Sequence, residues 1–531
     1  MSKNKNKGSI FHLNRLAKTG LVVAIAAGVS SMASAGEPIH FEHGGVLQWS
    51  VTTSYGLGVR MSKQDSKLIA DPLADDGNRN FDRYSLTSNK ISALGELTYT
   101  NKDTWGEWGG VVRGSTFYDD VYHRSNDNDS PFTVNKSGAH DEFTPGAKRY
   151  SGGRTRFLDA YVFTDIALPA EQYLAVKAGR HMVAWGEGLY YPGVNGAQGK
   201  VDVVKAVTPG TETKEVLLPT GQVSVDWNIS QMFGLSAYYQ YEWLPNELPP
   251  VGSFTSTTDV IGPRPESLMP GGGVPYRGVN SPSDSGQYGV RAMYRPNFDW
   301  EFSLFHINYH DKNPYGLTVA PDYSGYKIDY MDNIKLTGIS GSTSFGDTQV
   351  STEISYRDGM PVSVKVADGI GGFDSDTVRG KGYQAQVSFL HALGNYPWAR
   401  GTVLIGELIN TGVTSVEGNG KYSYDMGDDY QTKSSTAYTL TAVFEYPGVV
   451  SGWDFSIPVT FSHVVDGATP IKGAIGGGEG NKELSIGASM QYAGNLELDF
   501  GYVAKLSSAN LKKGRDSTDR DELTFSAKYS F

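Results

Sequence analysis

Beyond residue 35 the chain has no run of eighteen apolar residues, yet apolar and polar side chains alternate in segment after segment up to the last residue. In the final stretch Leu523, Phe525, Ala527, Tyr529 and Phe531 fall in one phase, and Thr524, Ser526, Lys528 and Ser530 in the other. Near the front Leu47, Trp49, Val51, Thr53, Tyr55, Leu57 and Val59 alternate with Gln48, Ser50, Thr52, Ser54, Gly56, Gly58 and Arg60. A period of two puts each set on its own face of an extended strand. A helix needs about 20 apolar residues to cross a bilayer, whereas a barrel strand needs about 9–11 with only every second one apolar. The chain can therefore cross a membrane only as strands.

The period recurs in about eighteen segments (range 14–18), and the connections alternate long and short. Short ones fall at Asn101, Pro169, Asn228, Pro296, Gly346, the 391–398 region, Pro447 and Asn495. Long ones include Met61 to Ser88, Asp119 to Arg154, Met182 to Gly221 and Leu244 to Gly286. The expected fold is all-β: a transmembrane antiparallel β-barrel with long extracellular loops and short periplasmic turns. An array of soluble β-sandwiches would share much of the composition but has no reason to keep that parity. Phe531, with Tyr529 two before it, resembles the end signal of bacterial outer-membrane barrels. That likeness implies the outer membrane as location, lipid and lipopolysaccharide as surroundings, and the barrel assembly machinery as a partner.

Residues 1–35 read as a signal peptide. Lys3, Lys5, Lys7, Arg15 and Lys18 precede an apolar run from Leu21 to Val29, and Ala33-Ser34-Ala35 supplies a small-x-small cleavage site. Without those five cations, 41 Lys+Arg face 57 Asp+Glu, a balance of −16. This argues against a nucleic-acid binder. Gly36 to Gly45 is too short for the N-terminal plug of an energy-coupled transporter. The chain contains no cysteine, which excludes disulfides, thiolate catalysis and Cys-ligated metals.

One stretch breaks the alternation. It runs Gly179-Arg180-His181-Met182-Val183-Ala184-Trp185-Gly186-Glu187, then Pro192-Gly193-Val194-Asn195, then Pro209-Gly210-Thr211-Glu212-Thr213-Lys214-Glu215, and ends at Leu218-Pro219. These residues resemble the signature of the domain-of-unknown-function 1302 family of proteobacterial outer-membrane proteins. The resemblance implies a barrel and traffic of hydrophobic or amphipathic, lipid- or sterol-like compounds. It also implies a periplasmic partner and an inner-membrane transporter of the resistance-nodulation-division type. Irregular backbone cannot face lipid, so residues 182–221 must cap the mouth or enter the lumen. Arg180, Trp185, Glu187, Tyr190, Tyr191, Asn195 and Glu215 are the candidate constriction and substrate residues. The structural alternative is a stabilising cap, with Arg180, Glu187 and Glu215 in salt bridges.

The polar phase assigns Arg60, Lys90, Glu96, Arg113, Lys177, Glu353, Gln384, Gln386, Asp499 and Lys505 to the lumen. Trp105, Trp108, Tyr118, Tyr239, Tyr241, Trp243, Trp453 and Tyr492 read mostly as interfacial girdle. Asn126-Asp127-Asn128-Asp129 offers oxygen ligands for calcium but reads better as a solvated loop tip, since it lacks the Gly and terminal Glu of an EF-hand. The sequence contains no Gly-x-Ser-x-Gly elbow, His-Glu-x-x-His or P-loop. No catalytic residue, metal site or cofactor is expected, and His181 is the one histidine worth testing for hydrolysis. The expected function is an outer-membrane channel or transporter for small hydrophobic or amphipathic compounds. The rivals are a general or sugar-type diffusion porin, an outer-membrane hydrolase and a structural or adhesive barrel.

Overall fold

The computed structural model describes residues 36–367, 373–418, 422–423, 432–468, 471 and 473–531, so the signal-peptide expectation lies outside the described residues. Eighteen strands form one antiparallel barrel. They are β1 (Val46–Arg60), β2 (Leu86–Lys102), β3 (Gly106–Asp119), β4 (Gly153–Leu168), β5 (Gln172–His181), β6 (Thr220–Asn228), β7 (Phe233–Gln240), β8 (Gln287–Tyr294) and β9 (Trp300–Tyr309). The second half is β10 (Ile334–Phe345), β11 (Thr348–Ala367), β12 (Phe373–Ala392), β13 (Gly401–Val416), β14 (Ser434–Val450), β15 (Trp453–Asp466), β16 (Lys482–Tyr492), β17 (Leu496–Lys505) and β18 (Glu522–Ser530). Each strand pairs with the next. β18 closes the ring on β1, in register from Thr52↔Ser530 to Arg60↔Glu522. Closure satisfies every ladder in a medium that offers the backbone no hydrogen bonds.

The outward phase is apolar around the ring: Ile91, Val162, Leu235, Leu304, Ile354, Leu440, Phe500 and Leu523 are all exposed. Trp105, Trp108, Tyr118, Tyr239, Tyr241 and Tyr492 also point outward. Trp243 does not. It is buried, donates its indole N–H to Asp311 O at 3.2 Å and packs on Tyr330, so it belongs to the interior.

Two expectations change. Leu158 does not share the outward phase of Ala160 and Val162, because a β-bulge opposite Val112/Gly114 turns both Leu158 and Asp159 inward and leaves Phe157 outside. The turn expected at Pro447 falls at Ser451-Gly452, where Gly452 has φ 80°, and β14 runs on through Pro447 with a register shift. Residues 357–367 and 373–382 continue the two strands: β11 and β12 are 20 residues each and stay paired as far as Ala367↔Phe373.

Inward side chains of an empty barrel this wide would be wet. Here they are dry: Arg60 is 0% exposed, Lys90 3%, Glu353 1% and Gln384 2%. Arg60 spends its guanidinium on the carbonyls of Asn78, Phe81 and Asp519, which belong to the outer loops. The stretch between β5 and β6 covers others: Lys90 donates to Thr211, Glu353 accepts the Glu187 N–H and Gln384 donates to Pro192 O.

Candidate functional site

The chain leaves β5 at His181 and re-enters the wall at Thr220. Between them lie three one-turn helices, Val194–Gln198, Val203–Ala206 and Thr213–Val216. The insert is in contact with inward-facing side chains of several wall strands.

Its first half is held by two buried carboxylates on the wall. Glu353 of β11 accepts the backbone N–H of Glu187 at 2.9 Å and of Val194 at 2.7 Å. Glu407 of β13 accepts the N–H groups of Leu189, Tyr190 and Tyr191 at 3.1, 2.5 and 3.1 Å. Five backbone donors thus solvate the two carboxylates, and the three consecutive N–H groups on Glu407 have the form of a backbone anion nest. The Tyr190 and Tyr191 hydroxyls reach Thr441 and Thr439 of β14. Gly186 and Gly193 are required by this closeness, since a Cβ on either would strike the Glu353 carboxylate. Asn195 locks the loop on itself: its Oδ1 accepts the Gly186 N–H at 2.7 Å and its Nδ2 donates to Gly186 O at 3.2 Å.

The second half crosses to the barrel seam. β1 and β11 are eight strands apart one way round and ten the other, so the insert spans the lumen. Ser54 of β1 donates to Gly210 O at 2.7 Å, and Lys90 of β2 donates to the Thr211 hydroxyl at 2.9 Å. Lys214 pairs with Glu96 at 2.5 Å. Gly210 has φ 68° and lies against Tyr55 and Ser526, where backbone must approach backbone. Glu212 and Glu215 cap the short helix reciprocally, and Glu215 also pairs with Lys205. Gly186, Gly193, Gly210 and Lys214 of the sequence signature are therefore among the residues that seat this insert on two opposed walls.

Between the halves, Trp185 is buried against Tyr238 of β7 and Phe305 of β9, with ring centroids 5.1 and 6.5 Å away and the Arg291 guanidinium 5.7 Å from its ring. A separate ion network fastens the insert to the outer loops. Arg154 and Arg156 at the start of β4 both pair with Asp202 and Glu247, and Lys200 pairs with Glu247 at 3.5 Å. Burial alone would raise the Glu247 carboxyl, but Arg154, Arg156 and Lys200 outweigh it and bring it down to about 2. A depressed carboxyl contributes stability that is present above its ordinary pKa, near 4.5, and lost as pH falls toward 2. Asp202 moves upward for burial and for the neighbouring Glu247, so it opposes that loss. The thermal midpoint of the detergent-solubilised barrel should therefore fall between pH 4.5 and 2, and fall less in Glu247→Gln. Parallel curves for the two proteins would contradict the network's role.

Of the expected site residues, Trp185, Glu187, Tyr190, Tyr191 and Asn195 come together in the first half of the insert, and Glu215 lies across the lumen in the second. Arg180 stands apart. It is exposed near the end of β5, in the outward phase, and pairs with Glu242. His181 is buried on the inner side, with Nε2 2.7 Å from the Ser224 hydroxyl and Nδ1 3.1 Å from Gly179 O. A hydrolase acting on lipid would need that pair on the outer face. Asn126 to Asp129 is solvated in part: Asp127 and Asp129 are exposed, Asp127 accepting the Ser85 hydroxyl, while Asn128 is buried against Asp76 and Asn80. Glu407, Lys205 and Glu247 were not singled out from sequence. Glu407 carried a usable signal, an acid in the polar phase of a strand otherwise rich in Leu, Ile and Gly.

Two small cavities, of about 70 and 40 Å³, flank the second half of the insert. The outer one is lined by Lys90, Phe117, Tyr122, Tyr150, Lys205, Val207, Phe254 and Glu522. The inner one is lined by Thr52, Leu94, Glu96, Glu212, Lys214, Glu497 and Lys528. The segment from Pro209 to Lys214 stands between them at the seam.

A closed barrel with an apolar belt and a lumen crossed by one insert is the architecture of a bacterial outer-membrane protein. The model of the family described as "Protein of unknown function (DUF1302)" matches residues 16–531, and the chain belongs to that family. No curated protein matches it. Among solved structures it is similar to Acinetobacter baumannii OccAB1, at 12% identity over 94% of this chain and 99% of that one, with a TM-score of 0.46. It is also similar to Pseudomonas aeruginosa OccK2 (OpdF), at 12% identity over 91% and 97%, TM-score 0.43. A third is P. aeruginosa OpdK crystallised with vanillate, at 11% identity over 91% and 98%, TM-score 0.43.

Proposed function

We propose that this protein is an outer-membrane channel for small amphipathic compounds, with a path along the seam formed by β1, β2 and β18. The observation that carries the reading is the pair of cavities divided by Pro209 to Lys214. The outer cavity offers Phe117, Tyr122, Tyr150 and Phe254 to an apolar body and Lys90 to an anionic group. The inner one is ringed by Glu96, Glu212, Glu497, Lys214 and Lys528, which suits a polar end that must be released. Passage is selective diffusion, with stacking on aromatic faces and no covalent step. The same proposal includes hand-over to a periplasmic partner and a resistance-nodulation-division type transporter in the inner membrane.

Planar-bilayer recording tests the channel. Low single-channel conductance, reduced by submillimolar cholate (a fused-ring body with one carboxylate), is the expected result. A large ohmic conductance indifferent to cholate would replace this reading with a general diffusion pore.

A further inference from the structure

We propose that Asp75, Asp76 and Asp259 form a calcium site that ties together the outer loops 61–85, 120–152 and 241–286. The three carboxylates are at most 2% exposed, and one oxygen from each lies within 4.8 Å of the other two. A point at most ~2.8 Å from all three oxygens therefore exists, and a contraction of a few tenths of an ångström would bring them to the ~2.4 Å calcium–oxygen distance.

The local charges do not balance without it. Arg79 serves Asp75 at 2.5 Å. Lys136 acts on Asp76 only through space, because its ammonium is donated to the carbonyls of His140 and Glu142. Arg520 feels Asp259 but pairs with Asp519. Asp259 Oδ2 accepts the Asp76 N–H at 3.1 Å, and Asp259 Oδ1 is buried with no hydrogen-bond partner. A buried anionic oxygen in that state costs several kcal/mol, on the order of the penalty for a buried unpaired charge. A second orphan comes from another loop. Asn135 donates its backbone N–H to Asp76 Oδ2 at 3.3 Å, and its fully buried Oδ1 also lacks a partner.

The donors are all carboxylate oxygens, with no His or Cys, which selects a hard cation such as calcium. The geometry gives the ion a structural task. Next to the cluster, Asn80 donates to Gly252 O, and Phe254, packed in one cluster with Phe81 and Tyr122, lines the outer cavity together with Tyr122.

The test uses the full-length barrel purified in detergent, with radioactive calcium in equilibrium dialysis and terbium luminescence as a second probe. One calcium per chain is expected, with a Kd on the order of 10⁻⁴–10⁻³ M or tighter. Asp259→Asn should weaken binding at least about tenfold, and so should Asp76→Asn, while the exposed Asp129→Asn should not change it. Heat-modifiable gel mobility confirms that each variant is folded. Calcium should also protect the outer loops from protease in wild type and not in Asp259→Asn. Absence of stoichiometric binding would overturn the site and leave a cluster that holds protons instead. Equal binding, or equal protection, in wild type and Asp259→Asn would overturn it as well.

Discussion

Alanine at both Glu353 and Glu407 should raise single-channel conductance at least about fivefold over wild type, because an emptied barrel of eighteen strands is a wide aqueous pore. The two carboxylates receive five backbone N–H groups from residues 187–194. Removing both also removes the cost of burying two anions, which works in the mutant's favour. The donors remain, however, and each unpaired buried N–H costs about 1–3 kcal/mol. Five of them outweigh what the two alanines relieve, and water entering the lumen can satisfy them only if the loop lifts off the wall. The single variants should open the pore less, since either carboxylate still holds its own donors. Tyr190 and Tyr191, tethered to Thr441 and Thr439, resist the motion. Conductance of the double variant equal to wild type, with the barrel folded, would show that the seam contacts alone keep the insert in place.

Deleting the last ten residues should abolish the folded protein. β18 is paired on both sides, along nine positions with β1 and eight with β17, and Phe531 N–H reaches Val51 O at 2.9 Å. Without it, β1 and β17 present two open edges to hydrocarbon, where each unsatisfied backbone group costs several kcal/mol. Ser526 also closes one side of the Gly210 contact, and Lys528 pairs with Glu497 at 3.1 Å and lies 3.9 Å from Glu212. No heat-modifiable species should reach the outer membrane. Replacing Phe531 alone by Ala leaves the ladder intact and should reduce the amount of folded barrel without abolishing it. A folded, membrane-inserted truncation would contradict closure by this strand.

The strands were legible because lipid and lumen impose a period of two that each segment states independently. Ile91, Leu235 and Leu523 lie outward and Lys90, Ser236 and Ser526 inward as the alternation requires. The alternation failed at Leu158, where a bulge in the partner strand resets the phase and nothing in the local residues announces it. Residues 357–367 and 373–382 carry charged and glycine residues yet continue as strand, because pairing between β11 and β12 beyond the membrane does not need an apolar face. The insert was visible as a break in period, and its glycines as a motif. Its partners were not, since Glu353 and Glu407 lie 159 to 218 positions further along the chain. Only closure of the ring brings those walls opposite residues 187–194. Trp243 reads as girdle by type, but the loop that follows β7 folds inward and takes it along.

The seating of the insert on the seam can be read in a single gel, because the chain has no cysteine of its own. A Cβ at Gly210 would lie 3.4 Å from the Ser526 Cβ, close to the separation a disulfide spans. Gly210→Cys with Ser526→Cys should oxidise to an intramolecular bridge in isolated outer membranes, shift in mobility without reductant and resist maleimide labelling. Two free thiols, both labelled in the folded barrel, would place Gly210 away from β18 and contradict an insert that crosses the lumen to the seam.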